Sequence, residues 1–147
     1  MVPSPSIIAF IQGFEQCRLD SYMPTPNDRP TIGWGSTGDD ITMGMTWTQQ
    51  QCDDRFAADL DSFADQVSGV LTIDTAQNQF DAMVSIAYNI GMGNFGPSTL
   101  LRLHNQGNFD AVPAQFLRWN HQHGEVLAGL TRRRQGEADI YQGAQGT

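Results

Sequence analysis

Apolar residues at Ile7, Ile8, Ile11 and Phe14 recur at the spacing of one helix face. They predict a first helix, capped by Ser6, that runs to about residue 17. Glu15 falls on the same stripe, four residues after Ile11 and seven after Ile8. Residues 20–43 break the helical period. They are rich in Pro, Gly, Asp and Thr and fit short strands, most clearly over 31–35. A second helix, capped by Thr48, carries Phe56, Leu60, Phe63 and Val67 inward and Asp53, Asp54, Asp59, Asp61 and Asp65 on a solvated acidic face. The third starts near Asp74 and carries Phe80, Met83, Val84, Ala87 and Tyr88, with Gly91 and Gly93 ending it. It is the most apolar helix and therefore the expected centre. Ser98 caps a short helix through Leu100, Leu101 and Leu103. Another spans about 108–119, where Pro113 requires a later start or a kink, and the last covers about 127–141.

The length of 147 residues suits one domain, 1–147, with a real core. A β-containing lobe is expected at about 20–45. A helical lobe follows at about 46–147, joined by the first helix, and the cleft between lobes suits an extended polymer. No run approaches the roughly 18 apolar residues of a membrane span, and the N-terminus reads as neither a secretory signal nor an anchor. The net charge is −8, and all eight basic residues are Arg, which argues against nucleic-acid binding. Cys17 and Cys52 could pair if their helices pack together, but without an export signal they are expected as free thiols. His104, His121 and His123 sit in or near loops and lack metal spacing, so no metal or cofactor is expected.

A carboxylate on an apolar stripe is costly unless paired or kept protonated, and either condition suits a general acid. The plain alternative for Glu15 is a helix-end glutamate that bends out to water. Its context decides between the two. The stretch Gly13-Phe14-Glu15-Gln16-Cys17-Arg18-Leu19-Asp20-Ser21-Tyr22, followed by Pro30-Thr31-Ile32-Gly33-Trp34-Gly35, resembles the catalytic region of the phage-type lysozymes, the endolysins of glycoside hydrolase family 24. The resemblance continues in order through Gln77-Asn78-Gln79-Phe80-Asp81, Ala87-Tyr88-Asn89-Ile90-Gly91, Phe116-Leu117-Arg118-Trp119-Asn120 and Gly129-Leu130-Thr131-Arg132-Arg133-Arg134. It implies an α+β, mostly α, lysozyme-like two-lobed domain, with a small β-hairpin lobe after helix 1 and a helical lobe around a central apolar helix. It implies a peptidoglycan hydrolase that cuts the β-1,4 bond between N-acetylmuramic acid and N-acetylglucosamine. Glu15 would be its general acid, Thr31 would position water, and Arg134 would be the supporting ion-pair partner.

One departure stands out. The family places an Asp nine residues after the Glu, where this chain has Pro24. Asp28, three residues before Thr31, is the candidate replacement, although an Asn27-Asp28 pair is equally a turn former. Without a second carboxylate, a Glu-only lytic transglycosylase or a catalytically inactive wall-binding protein becomes the alternative. The resemblance also implies a monomer without a stable membrane anchor. It would be made in a host cytoplasm and need a holin-type route to the cell wall.

Overall fold

The computed structural model describes residues 1–26, 28–122 and 124–143. The chain divides into two compact units, Ile8–Ser62 on the one hand and Met1–Ile7 with Phe63–Thr147 on the other. The fold is mostly helical, with an early hairpin directly after the first helix.

Helix α1 (Pro5–Glu15) buries Ile7 and Ile11, while Ile8 is half-buried and Phe14 exposed. Ser4 accepts from the Ile7 amide, so the cap lies two residues before the expected Ser6. The helix also stops at Glu15, short of Cys17, because Gln16 takes a left-handed φ of 44° and turns the chain out. Strand β1 (Arg18–Tyr22) then pairs antiparallel with β2 (Thr31–Gly33). The register sets Arg18 opposite Gly33 and Tyr22 opposite Thr31, with a bulge between. β2 is wholly buried and β1 is not.

Helix α2 (Gln49–Val70) is capped as expected, the Gln51 amide donating to Thr48 Oγ1 at 3.1 Å. Its acidic face is only partly a solvated one. Asp53 accepts from Trp34 Nε1 at 2.8 Å, and Asp59 accepts from Ser36 Oγ and from Arg55 Nε. Arg55 also grips Asp40 and the Thr37 carbonyl, tying the loop after β2 to α2. In the first turn of α2, Cys52 lies against Gly33. Both cysteines are free thiols.

The helical unit is built on α3 (Gln77–Ile90), which begins three residues later than the spacing predicts. Eight consecutive residues from Phe80 to Ala87 are buried, so this helix meets neighbours on every side. Each large apolar side chain among them contributes about 1.5–3 kcal/mol on burial. Gly91 ends α3 at φ 85°, but Gly93 lies inside a further short helix, α4 (Met92–Phe95). Helix α5 (Thr99–Asn105) is capped by Ser98. The expected helix over 108–119 is split into 3₁₀ turns around α6 (Val112–Phe116), because Pro113 fits only the first turn. A second hairpin that the pattern did not announce, β3 (His121–Gln122) with β4 (Glu125–Val126), precedes α7 (Ala128–Tyr141), which packs on α3. His104 is not near a loop in the expected sense. It is buried in the last turn of α5, between Tyr141 Oη at 2.7 Å and Thr75 Oγ1 at 2.8 Å. His121 opens β3 and is exposed, while His123 and Asn27 lie outside the described residues. Among the described residues no helix is long and apolar enough to cross a membrane.

Candidate active site

The hairpin unit assembles its chemistry around the end of α1. Glu15 is half-buried in the last position of that helix. The chain then reverses at Gln16, runs out along β1 and returns along β2 into a tight turn. In that turn Ile32 and Ser36 exchange both backbone hydrogen bonds, at 3.0 and 2.9 Å. The turn demands glycine twice, for different reasons. Gly33, at the left-handed φ of 67°, would set a Cβ in tight contact with Cys52, 3.3 Å from its Cβ. Gly35, at φ 89°, has the Glu15 carboxylate there, and a Cβ would overlap it. The Thr-Ile-Gly-Trp-Gly motif is therefore a backbone surface on which the glutamate lies.

Tyr22 gathers the other charges. The Arg18 guanidinium sits over its ring, 4.4 Å from the centroid. Burial, helped by the negative charges of Glu15 and Asp28 and opposed by Arg18, pushes the Tyr22 phenol above its ordinary range. Glu15 and Asp28 thus lie within electrostatic reach of one phenol. Thr31, the cross-strand partner of Tyr22, is buried, and its hydroxyl donates to the Arg29 carbonyl at 3.0 Å. With the hydroxyl hydrogen committed, the Thr31 oxygen faces any water as an acceptor. Asp28 is exposed and occupied with its own turn: its amide donates to the Thr25 carbonyl and its Oδ1 accepts from the Arg29 amide. Pro24 is exposed in the same loop.

Arg134 belongs to the helical unit. It is fully buried on α7, with Nε 2.9 Å from Glu137 Oε1 and Nη2 donating to Asn89 Oδ1 at 2.7 Å. Arg133 is also buried, so two of the three consecutive arginines are not the surface patch that their run suggests. Glu137 accepts from Ser85 Oγ at 2.5 Å, and burial pushes its carboxyl up to about 7 against the pull of Arg134, Ser85 and Arg133. The resemblance left Glu137, Ser85 and Asn89 without a role. The signal that could have found them is the three- and four-residue spacing of Arg134 and Arg133 to Glu137 along one helix. Among the described residues no group of three His, Cys, Asp or Glu could hold a metal ion.

A glutamate closing the first helix against a glycine-turned hairpin, followed by a helical unit around one buried helix, defines a lysozyme-like α+β fold. A model of the phage lysozyme family matches residues 12–137, and the chain belongs to that family. The endolysin of Bacillus phage PZA is 38% identical over 135 residues, covering 91% of this chain and 52% of that protein. The chain thus spans about half the length of this relative and of the endolysin of Bacillus phage B103. Among solved structures, the endolysin from Escherichia coli O157:H7 phage FAHEc1 superposes with a TM-score of 0.82 at 35% identity, covering 96% of this chain and 93% of that one. The muramidase domain of SpmX from Asticaccaulis excentricus does so with a TM-score of 0.83 at 32% identity, covering 94% and 95%.

Proposed function

We propose that this chain is a muramidase that cleaves the β-1,4 bond between N-acetylmuramic acid and N-acetylglucosamine in peptidoglycan, lysing the bacterial cell at phage release. The observation that carries the reading is the Glu15 carboxylate seated on the Gly35 backbone, with Thr31 and Asp28 on the same hairpin. Glu15 protonates the leaving oxygen, Thr31 orients a water by accepting from it, and Asp28 takes the proton of that water as it attacks the anomeric carbon. Attack from the face opposite the leaving group inverts the centre. Arg134 is the supporting cation that the family resemblance implies, and a double-mutant cycle between Glu15→Gln and Arg134→Ala tests that coupling. The working unit is 1–147 as a single monomeric lysozyme-like domain, without metal or cofactor. It is made in a host cytoplasm and reaches the wall through a holin-type route.

A second reading is favoured by one observation: Pro24 stands where the family has an Asp, and the Asp28 carboxylate caps its own turn. A Glu-only lytic transglycosylase would need no water, because a hydroxyl of the sugar attacks instead. Mass spectrometry of the products from purified peptidoglycan separates the two. Muropeptides with reducing ends support hydrolysis and a water-activating carboxylate. Anhydro-muropeptides support transglycosylation by Glu15 alone. Intact polymer with a folded protein supports a wall-binding protein without turnover.

A further inference from the structure

Cys17 and Cys52 converge at the first turn of α2. Cys17 precedes Arg18, whose register partner on β2 is Gly33. Cys52 lies beneath Gly33, its Sγ 3.4 Å from the place a Gly33 Cβ would occupy. Gln49, three residues before Cys52 on the same turn of α2, donates to Cys17 Sγ at 3.5 Å. Both thiols therefore meet the first turn of α2, and Cys17 is itself among the groups that raise the Cys52 thiol, to about 11, behind the larger effect of burial. The two differ in access: Cys17 is half-exposed and Cys52 is fully buried.

We propose that Cys17 and Cys52 form a redox site, free as two thiols and oxidisable to an intramolecular disulfide that staples the end of α1 to the start of α2. The accessible thiolate of Cys17 attacks one sulfur of a small-molecule disulfide, expelling one thiolate and leaving a mixed disulfide. The Cys52 thiol loses its proton to solvent and attacks the Cys17 sulfur, expelling the second thiolate. Two electrons pass from the protein pair to the oxidant, which leaves as two thiols. The chain between residues 17 and 52 becomes a closed loop that contains Asp28, Thr31 and Gly35 and begins two residues after Glu15. In a reducing cytosol the pair stays open, and in an oxidising compartment it closes. The inference stands apart from the proposed enzymatic activity, since its readouts are mass and melting temperature.

The experiment equilibrates the reduced, purified chain with a series of oxidised-to-reduced glutathione ratios, then measures intact mass, a non-reducing peptide map and the thermal melt. The expected result is a product lighter by two hydrogens, a peptide joining Cys17 to Cys52, and a Tm raised by about 5–10 °C. The Cys52→Ser variant should stop at one glutathione on Cys17, and Cys17→Ser should stay unmodified while folded. A wild-type chain that stops at the glutathione adduct, that stays unmodified, or that closes the bridge with no rise in Tm overturns the proposal.

Discussion

Two glutamates of this chain sit in opposite environments. Glu15 ends a helix and is half-buried against glycine backbone, within electrostatic reach of Tyr22. Glu137 is fully buried inside a helix, held by Ser85, Arg134 and Arg133. By burial and perturbation alone, Glu137 would be the more tempting acid, since its carboxyl is pushed up to about 7. Structural ion-pair networks perturb carboxyls as readily as active sites do. What separates the two is surroundings: Glu15 lies beside a polar, turn-rich hairpin, and Glu137 is enclosed by core.

The largest expected contrast comes from removing each acid. Glu15→Gln should lower the rate of wall lysis by about a thousandfold or more, on the scale of general acid catalysis, and leave the urea midpoint nearly unchanged. Glu137→Ala should do the reverse. Its loss removes the carboxylate that two buried guanidinium groups and the Ser85 hydroxyl face, at a cost of about 3–5 kcal/mol measured by urea unfolding. A fully active Glu15→Gln protein would sink the assignment of the acid.

The same contrast predicts a pH dependence. The folded chain holds the Glu137 proton up to about pH 7, whereas an unfolded glutamate loses it near 4.5. Between those values the folded state binds more protons than the unfolded one. Stability from this group therefore falls as pH rises, by about 3 kcal/mol in all, and the loss is complete above about pH 7. Glu137→Gln imitates the protonated acid and should flatten that decline, as unfolding at pH 5 and pH 8 would reveal. Asp40 and Asp53, held below their ordinary range by hydrogen bonds to Arg55 and to Trp34 with Gln49, act in the opposite sense. Their contribution is present above about pH 4 and is lost as pH falls further.

Within the hairpin the contrast sharpens between side chain and backbone. Gly35→Ala brings a Cβ onto the Glu15 carboxylate at a left-handed φ, so it should cut lysis about a hundredfold and cost about 1–3 kcal/mol. Asp28→Asn should cost at least about a hundredfold if Asp28 is the base. A loss under about threefold would remove it from the site and favour the transglycosylase.

How much of this was legible beforehand differs between the two regions for a physical reason. The helical period found α1, α2, α3 and α7 because long amphipathic segments repeat their signal over several turns. It misplaced the ends, choosing Ser6 over Ser4 and starting α3 near Asp74, because capping depends on a single hydroxyl meeting a single amide. The β3–β4 hairpin escaped because two-residue strands carry no period. Glu15 and Thr31 became candidates through motif order, and the structure sets them on the neighbouring end of α1 and start of β2. The reason for Gly35 was not legible, since it lies in a contact between residues twenty apart. The Glu137 network was missed because the resemblance assigned Arg134 to Glu15 and gave Glu137, on the same helix, no role.

The smallest effects test the two regions through their helix caps. Thr48 and Ser98 do the same job, each accepting from the amide three residues on, at 3.1 and 3.2 Å. Thr48 is exposed, so when its hydroxyl is removed water takes over the Gln51 amide. Ser98 is buried, and its Oγ also donates to the Phe95 carbonyl at 2.6 Å. Ser98→Ala therefore leaves the buried Leu101 amide unmet and the Phe95 carbonyl with only the Ser98 amide, at 3.0 Å. Thr48→Ala should cost about 0.5–1 kcal/mol and Ser98→Ala about 2 kcal/mol, read from urea midpoints at constant slope. Equal costs would mean that water reaches the Ser98 cap after all, and that the helical unit is less tightly closed there than its buried side chains imply.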